Sequence, residues 1–335
     1  MNFYRDKKIL ITGGLGFLGS GLAIALVKLG AKVTLLDAML PLYGGNFFNI
    51  EEVKDSVEIK IGDIRDSILL GEVVRDKDII FHIAAQTSHI DSMIDPLLDV
   101  DINCKGNIIF LESCRKNNPK VKIVYTGTRG QYGNLKYIPV DENHPLNSTD
   151  IYGANKTAAE SYHFIYSRAY GLKVCSLRVN NTYGPRHQMK HSRYGVLNWF
   201  IRLVLEDKTI EVYGDGCQLR DCNYLDDVTS AFLLTGASDI SEGKVYNLGS
   251  GEPVKLIDFI QRLIDIAGSG RLKKVPWPED RKRIETGDYV ADFNRIKEDL
   301  GWSPKIGIDE GLRRTIEFYR RYRDKYWKSD DSVKY

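Results

Sequence analysis

Along the first half of the chain, short runs of consecutive apolar residues alternate with stretches in which apolar residues recur every three or four positions. The runs at 9–12, 33–37, 57–61, 79–83 and 123–126 are too short for helices and nearly continuous in hydrophobicity. They predict strands buried on both faces. The 3.6-residue pattern between them predicts helices at 17–29, 68–74 and 96–116, followed by a helix at 152–170 and a strand at 173–178. Strand and helix in alternation imply an α/β fold, a doubly wound parallel sheet covered by helices on both sides.

Beyond residue 180 the pattern loses its regularity. Gly184-Pro185, Gly214-Asp215-Gly216 and Gly249-Ser250-Gly251 punctuate it. Helices are expected at 194–206, 226–237, 256–267 and 308–326. We read residues 1–180 as one domain, its sheet completed in part by later segments. Residues 181–327 form a smaller mixed substrate lobe, and 328–335 a disordered tail. In open parallel sheets, ligands bind outside the carboxyl ends of the strands, so a cleft is expected where the two parts meet.

Composition narrows the function. The 335 residues are 43% hydrophobic, enough for a large core, and 47 basic against 45 acidic residues leave a net charge of +2. That balance gives no footprint for nucleic acid and no polybasic segment for a membrane surface. No apolar run approaches the roughly 20 residues that span a bilayer, and residues 1–8 lack signal-peptide anatomy. The five cysteines, at 104, 114, 175, 217 and 222, include no Cys-x-x-Cys pair, and the six histidines show no ligand spacing. The expectation is a cytoplasmic protein without a metal site.

The first predicted strand runs into Gly13-Gly14-Leu15-Gly16-Phe17-Leu18-Gly19 and then an apolar helix. Gly13, Gly16 and Gly19 would allow a tight turn, close approach of a pyrophosphate and close helix–strand packing. The helix N-terminus offers free N–H groups to phosphate. Asp37, ending the second strand, would accept hydrogen bonds from the adenosine ribose and repel a 2′-phosphate. The reading is a Rossmann-type domain for NAD rather than NADP. Asp63-Ile64 stands where an adenine contact or a strand-end cap would stand. Ala84-Ala85-Gln86 offers small residues beside a cofactor.

Tyr152 and Lys156 lie four residues apart at the start of a predicted helix, on one face. An ammonium beside the phenol would lower its pKa, so that the tyrosine could take a hydroxyl proton near neutral pH. Thr128, just past the strand at 123–126, would share that proton or orient the substrate. His187 sits in a presumed substrate loop; His89 and His144 read as loop residues.

These residues resemble the extended short-chain dehydrogenase/reductases, in the NAD-dependent epimerase/dehydratase group that acts on nucleotide sugars. The resemblance runs from Lys8 to about Trp327. Its motifs come in order: Thr12-Gly-Gly-x-Gly-Phe-x-Gly19, Asp63-Ile64, Ala84-Ala85-Gln86, Asn103, Tyr132-Gly133 and Tyr152-x-x-x-Lys156, then Asn181-Thr-Tyr-Gly-Pro-Arg186, Arg220-Asp221, Tyr224-x-Asp-Asp-Val228, Asn247-x-Gly249 and Gly301-Trp-x-Pro304. It implies that Gly13, Gly16, Phe17, Leu18 and Gly19 hold the pyrophosphate, Asp37 the ribose, and Asp63 and Ile64 the adenine. Ala84, Ala85, Gln86, Asn103 and Thr126 would line the cofactor path. Tyr152 would be the acid/base, Lys156 would hold the nicotinamide ribose and Thr128 would assist. Asn181 and Arg220 would meet the diphosphate and Tyr213 the nucleotide base. A homodimer paired through the helices at 96–116 and 152–170 is also implied.

Two departures narrow the reaction. The family's 4,6-dehydratases carry an Asp-Glu pair where this chain has Arg129 and Gly130. Dehydration is disfavoured, as is decarboxylation. Arg129 would either reach an anionic group of the substrate or be solvated. Glu285 stands where a diphosphate-binding arginine is expected, with Arg281, Lys282 or Arg283 as substitutes. The leading expectation is C4 epimerisation of a UDP-hexose through a transient 4-keto sugar. Beside it stand net oxidation or reduction of a nucleotide sugar and a non-catalytic NAD-sensing protein.

Overall fold

The computed structural model describes residues 3–328, so the terminal tail expected at 328–335 lies, apart from Lys328, outside the described residues. The chain opens with β1 (Lys8–Thr12), α1 (Phe17–Lys28), β2 (Lys32–Asp37), β3 (Val57–Ile61), α2 (Ser67–Val73) and β4 (Ile79–His82). Three consecutive helices follow, α3 (His89–Ile94), α4 (Pro96–Val100) and α5 (Gly106–Asn117), before β5 (Lys122–Thr128), α6 (Ile151–Tyr170) and β6 (Lys173–Val179). Next come β7 (Asn181–Tyr183), α7 (Val196–Leu205), β8 (Thr209–Tyr213), β9 (Leu219–Arg220), β10 (Cys222–Tyr224), α8 (Leu225–Ala237) and β11 (Val245–Asn247).

Seven of these strands form one parallel sheet in the order β11-β6-β5-β4-β1-β2-β3. All of β4, and every residue of β1 after Lys8, is buried, because helices cover both faces. On one face α1 and α8 pack with Leu22, Leu26, Val228 and Phe232 onto Ile9, Ile11 and Phe81. On the other, α2 and α5 bring Leu70, Phe110 and Leu111 against Leu10, Ile80 and Ile123. The chain leaves β1 towards one side of the sheet and β4 towards the other. The carboxyl ends of these neighbours are therefore the topological switch point, where a crevice opens. Thr12 closes the floor of that crevice: its hydroxyl accepts the N–H groups of Ile83 and Ala84, each at 3.1 Å.

The second half adds β12 (Val254–Lys255), α9 (Leu256–Ala267), β13 (Arg271–Val275), α10 (Glu279–Ile284), α11 (Asn294–Leu300) and α12 (Ile308–Tyr322). A separate core holds it together, with Trp199, Phe200 and Leu203 of α7 meeting Phe259 and Leu263 of α9 and Leu312 and Ile316 of α12.

Three expected helices change shape. The one at 96–116 is divided into α4, a π-helical turn (Asp101–Lys105) and α5. The wide turn lets Asn103, fully buried, face Gln86 and Asp99 rather than the helix exterior. The helix expected from 194 begins at Val196, because Gly195 has a φ of 67° and a Cβ there would lie 2.1 Å from the His187 ring. The last, expected to 326, ends at Tyr322 and gives way to a 3₁₀ turn, Arg323–Lys325. No helix among the described residues is long and apolar enough to cross a membrane.

Candidate active site

A cavity of about 580 Å³ opens at the switch point and continues beneath the second lobe. Its floor is the glycine turn. Gly13 has a φ of 70°, and a Cβ there would lie 3.0 Å from the backbone nitrogen of Ala84. Any other residue would strain the turn and fill the crevice. Gly19 serves packing instead: a Cβ would lie 2.1 Å from the Gly13 carbonyl oxygen, so α1 can approach β1 only with glycine there. Gly16 caps α1 and has no side chain to satisfy the N–H groups of the first turn, which leaves them for an anion.

Around this floor the structure gathers Gly13, Gly16, Phe17, Leu18, Asp37, Asp63, Ile64, Ala84, Ala85 and Thr126. Asp37 is held by the N–H groups of Leu15 (3.0 Å) and Met39 (2.9 Å), and burial raises its pKa. Asp63 is gripped by Arg65 through both oxygens, at 2.9 and 2.8 Å. The Thr126 hydroxyl is buried without a hydrogen-bond partner among the described residues. A glycine cradle, an acidic ribose position at the end of β2 and an orphaned buried hydroxyl fit a dinucleotide. Three residues expected on the cofactor path do not line the cavity. Gly19 lies under the turn. Gln86 and Asn103 bond to each other behind the wall, Gln86 N–H to Asn103 Oδ1 at 3.2 Å and Asn103 Nδ2 to the Gln86 carbonyl at 3.0 Å.

Thr128, Arg129, Tyr152 and Lys156 line the middle of the cavity. Tyr152 is buried, and that burial raises its pKa; a hydrogen bond with Thr128 acts in the opposite direction. Lys156 lies over the Tyr125 ring, 4.3 Å from its centroid. Burial lowers the Lys156 pKa to about 7, with Glu160 and Asp99 opposing the shift. The expectation of a lowered phenol pKa is therefore corrected: desolvation raises it. Arg129 is half-buried rather than free in solvent. It faces the Tyr289 ring at 5.3 Å, and burial followed by repulsion from Arg220 lowers its pKa to about 10.

His89 does not lie in a loop. It begins α3, lines the cavity and brings Nδ1 to 2.6 Å from Oδ2 of Asp150 in a hydrogen bond. His187 is buried edge-on against Phe17 at 5.0 Å, with its pKa lowered to about 4 by burial. His144 is a loop staple: its Nε2 accepts the Lys136 N–H at 2.8 Å.

The second lobe contributes Asn181, Tyr213 and Arg220 to the same cavity. The Asn181 side-chain oxygen is buried and unpartnered among the described residues. Glu285, unexpected beside a diphosphate arginine, is the ion-pair partner of Arg220 at 2.7 Å. Arg281 lines the cavity beside them. Trp277, which the sequence did not flag, tilts against Tyr213 with ring centroids 5.4 Å apart. The only signal was a tryptophan between two prolines, Pro276 and Pro278.

Residues 9–249 match the model of the NAD dependent epimerase/dehydratase family. A putative UDP-glucose 4-epimerase of Methanocaldococcus jannaschii is 34% identical over 319 residues, covering 93% of this chain and 98% of the relative. A dTDP-glucose 4,6-dehydratase of Streptomyces niveus is 30% identical, covering 93% of each chain. The crystal structure of UDP-glucose 4-epimerase from Thermotoga maritima with UDP-glucose superposes with a TM-score of 0.86 at 30% identity, covering 94% of this chain and 99% of that one.

Proposed function

This chain belongs to the NAD dependent epimerase/dehydratase family, and from that premise we propose that it is an NAD-dependent epimerase of a nucleotide-activated sugar, inverting C4 of a UDP-hexose through a transient 4-keto sugar. The observation that carries the reading is the composition of the sugar compartment. Tyr152 stands there with Thr128 at its hydroxyl. Arg129 and Gly130 follow in the turn where dehydration would need two carboxylates.

In this reading residues 1–180 hold NAD and residues 181–327 hold the nucleotide sugar. Gly13, Gly16, Phe17 and Leu18 hold the pyrophosphate over the α1 N-terminus, Asp37 the adenosine ribose, and Lys156 the nicotinamide ribose. When bound, NAD supplies the hydride acceptor and donor for the sugar carbon. Tyr152 takes the O4 proton at its phenolic oxygen and later returns it, and Thr128 orients the sugar hydroxyl. Tyr213 and Trp277 form an aromatic slot for the base, while Asn181 and Arg220 meet the diphosphate. The lobe above excludes water.

We also propose a cytoplasmic homodimer. The five cysteines are free thiols in this structure, which suits a reducing compartment. Exposed Ile94, Leu97, Ile108 and Ile165 gather on α3 to α6, where apolar surface invites a partner.

The test is incubation with UDP-glucose, UDP-N-acetylglucosamine and UDP-glucuronate separately, each with NAD, followed by proton NMR and reduced-nicotinamide absorbance. A second anomeric signal without accumulated NADH identifies the 4-epimerase and its substrate. Stoichiometric NADH with a keto sugar replaces this reading with a dehydrogenase.

A further inference from the structure

The pair formed by His89 and Asp150 belongs to the cavity wall, yet neither residue has a role in the mechanism above. Asp150 caps α6. Its Oδ1 accepts the Gly153 N–H at 2.8 Å, and its Oδ2 meets Nδ1 of His89 at 2.6 Å. With both oxygens committed and its side chain 2% exposed, the carboxylate cannot swing away. Burial raises its pKa, but the hydrogen bonds from His89 and from the Gly153 N–H act against burial, and the net shift is downward. An ionised carboxylate accepts only, so Nδ1 of His89 carries a proton and Nε2 is the nitrogen left to the cavity. The ring is pinned from two further sides. It stands edge-to-face on Tyr152, centroids 5.0 Å apart at 84°, and its Cε1 lies 3.0 Å from where a Cβ on Gly130 would be. Its side chain is 39% exposed, in contrast to the buried carboxylate behind it.

A buried carboxylate that fixes the tautomer of an imidazole lining a substrate cavity is the arrangement that makes histidine a general base. The neighbouring phenol, desolvated, is held in its protonated form. We propose that His89, oriented by Asp150, is a second proton-transfer residue of this site. Its Nε2 takes the proton of a hydroxyl on the bound sugar and returns it. In that step the O–H bond breaks, its electron pair stays on oxygen, the N–H bond forms, and the imidazolium charge is balanced by Asp150. The proposal rests on the nucleotide-sugar reading above.

The experiment compares His89→Gln and Asp150→Asn with the wild type in the NAD-loaded enzyme, on the nucleotide sugar identified as substrate. Asparagine still caps α6, so helix and fold are kept, but its amide cannot hold the Nδ1 proton in place. Each variant is expected to lower kcat by roughly 10²-fold, as loss of a general acid–base group does. KM should stay within about threefold, by the same argument that the lost contact acts in the transition state, and NAD affinity should be unchanged. A kcat within that threefold range, or a loss found wholly in KM, would overturn the proposal, since a sugar contact or a structural pair predicts those results. A wild type that turns over no nucleotide sugar sinks the function proposed above instead. The dyad is then judged by histidine ¹⁵N NMR of the NAD-loaded protein at mildly alkaline pH. Nδ1 protonated with Nε2 bare supports it, and the opposite tautomer overturns it.

Discussion

Tyr152 shows how far a side chain's chemistry depends on what surrounds it. Four residues of spacing put it on one helical face with Lys156, but the lysine rests on Tyr125 and both groups are desolvated. Replacing Tyr152 by Phe removes the acid/base hydroxyl and leaves a ring that packs in the same place. We expect kcat to fall by roughly 10²- to 10⁴-fold with NAD affinity intact, measured by turnover and by cofactor titration. Lys156 leaves a signature in stability. Its folded pKa of about 7 lies below the ordinary lysine value, so above pH 7 the unfolded chain binds a proton that the folded chain does not. Stability therefore rises from this group between about pH 7 and 10. In NAD-free protein the Lys156→Met variant should show a flatter rise of melting temperature with pH across that window than the wild type; equal slopes would contradict the assigned shift. At the glycine turn, Gly19→Ala forces a carbon to within 2.1 Å of the Gly13 oxygen. NAD binding should weaken by an order of magnitude or more, read by titration, even where the variant still folds.

Elements of this protein are positioned by a few buried polar anchors as well as by apolar packing. α6 carries Tyr152 and Lys156 and is tied at both ends, by the Asp150 cap and by Gly171, whose φ of 73° ends the helix. In between, Glu160 forms a buried ion pair with Arg178 of β6, their side chains 5% and 6% exposed. The Arg178→Met variant leaves that carboxylate buried without a counter-charge, only the Ser176 hydroxyl still donating to it, and breaking a buried pair typically costs about 3–5 kcal/mol. Chemical denaturation should show a loss of that order, and a loss below about 1 kcal/mol, the worth of a surface pair, would mean the pair is effectively solvated. The broken helix 96–116 follows the same logic. Periodicity saw a continuous apolar stripe, but Asn103 bonds Gln86 and Asp99, and the π-helical turn is the local price of aiming it there.

At the scale of the molecule, two cores meet across one cavity. The sheet supplies its floor and the second lobe its roof, so the site exists only when both are folded. Exposed apolar residues on α3 to α6 set the expectation for assembly. Light scattering at micromolar concentration should give a dimer, and the Ile94→Asp, Leu97→Asp double variant, changing side chains 73% and 79% exposed, should give a folded monomer.

Much of this was legible in the chain alone. Strand positions in the first half, the glycine turn, Asp37 and the shared helical face of Tyr152 and Lys156 follow from local rules: strand and helix periods, the steric needs of a phosphate turn and the acidic end of a second strand. These depend on neighbours within a few residues, so sequence spacing determines them. Tertiary structure decided what distant segments do to one another. His89 and Asp150 are 61 residues apart, and the histidine alone reads as a loop residue; packing α3 against α6 makes them a pair. Arg220 meets Glu285 across 65 residues, and Trp277 finds Tyr213 because β13 pairs with β8. Burial, which set the ionisation of Tyr152, Lys156 and Arg129, is a property of the closed cavity, and no local pattern encodes how much water a folded chain will exclude.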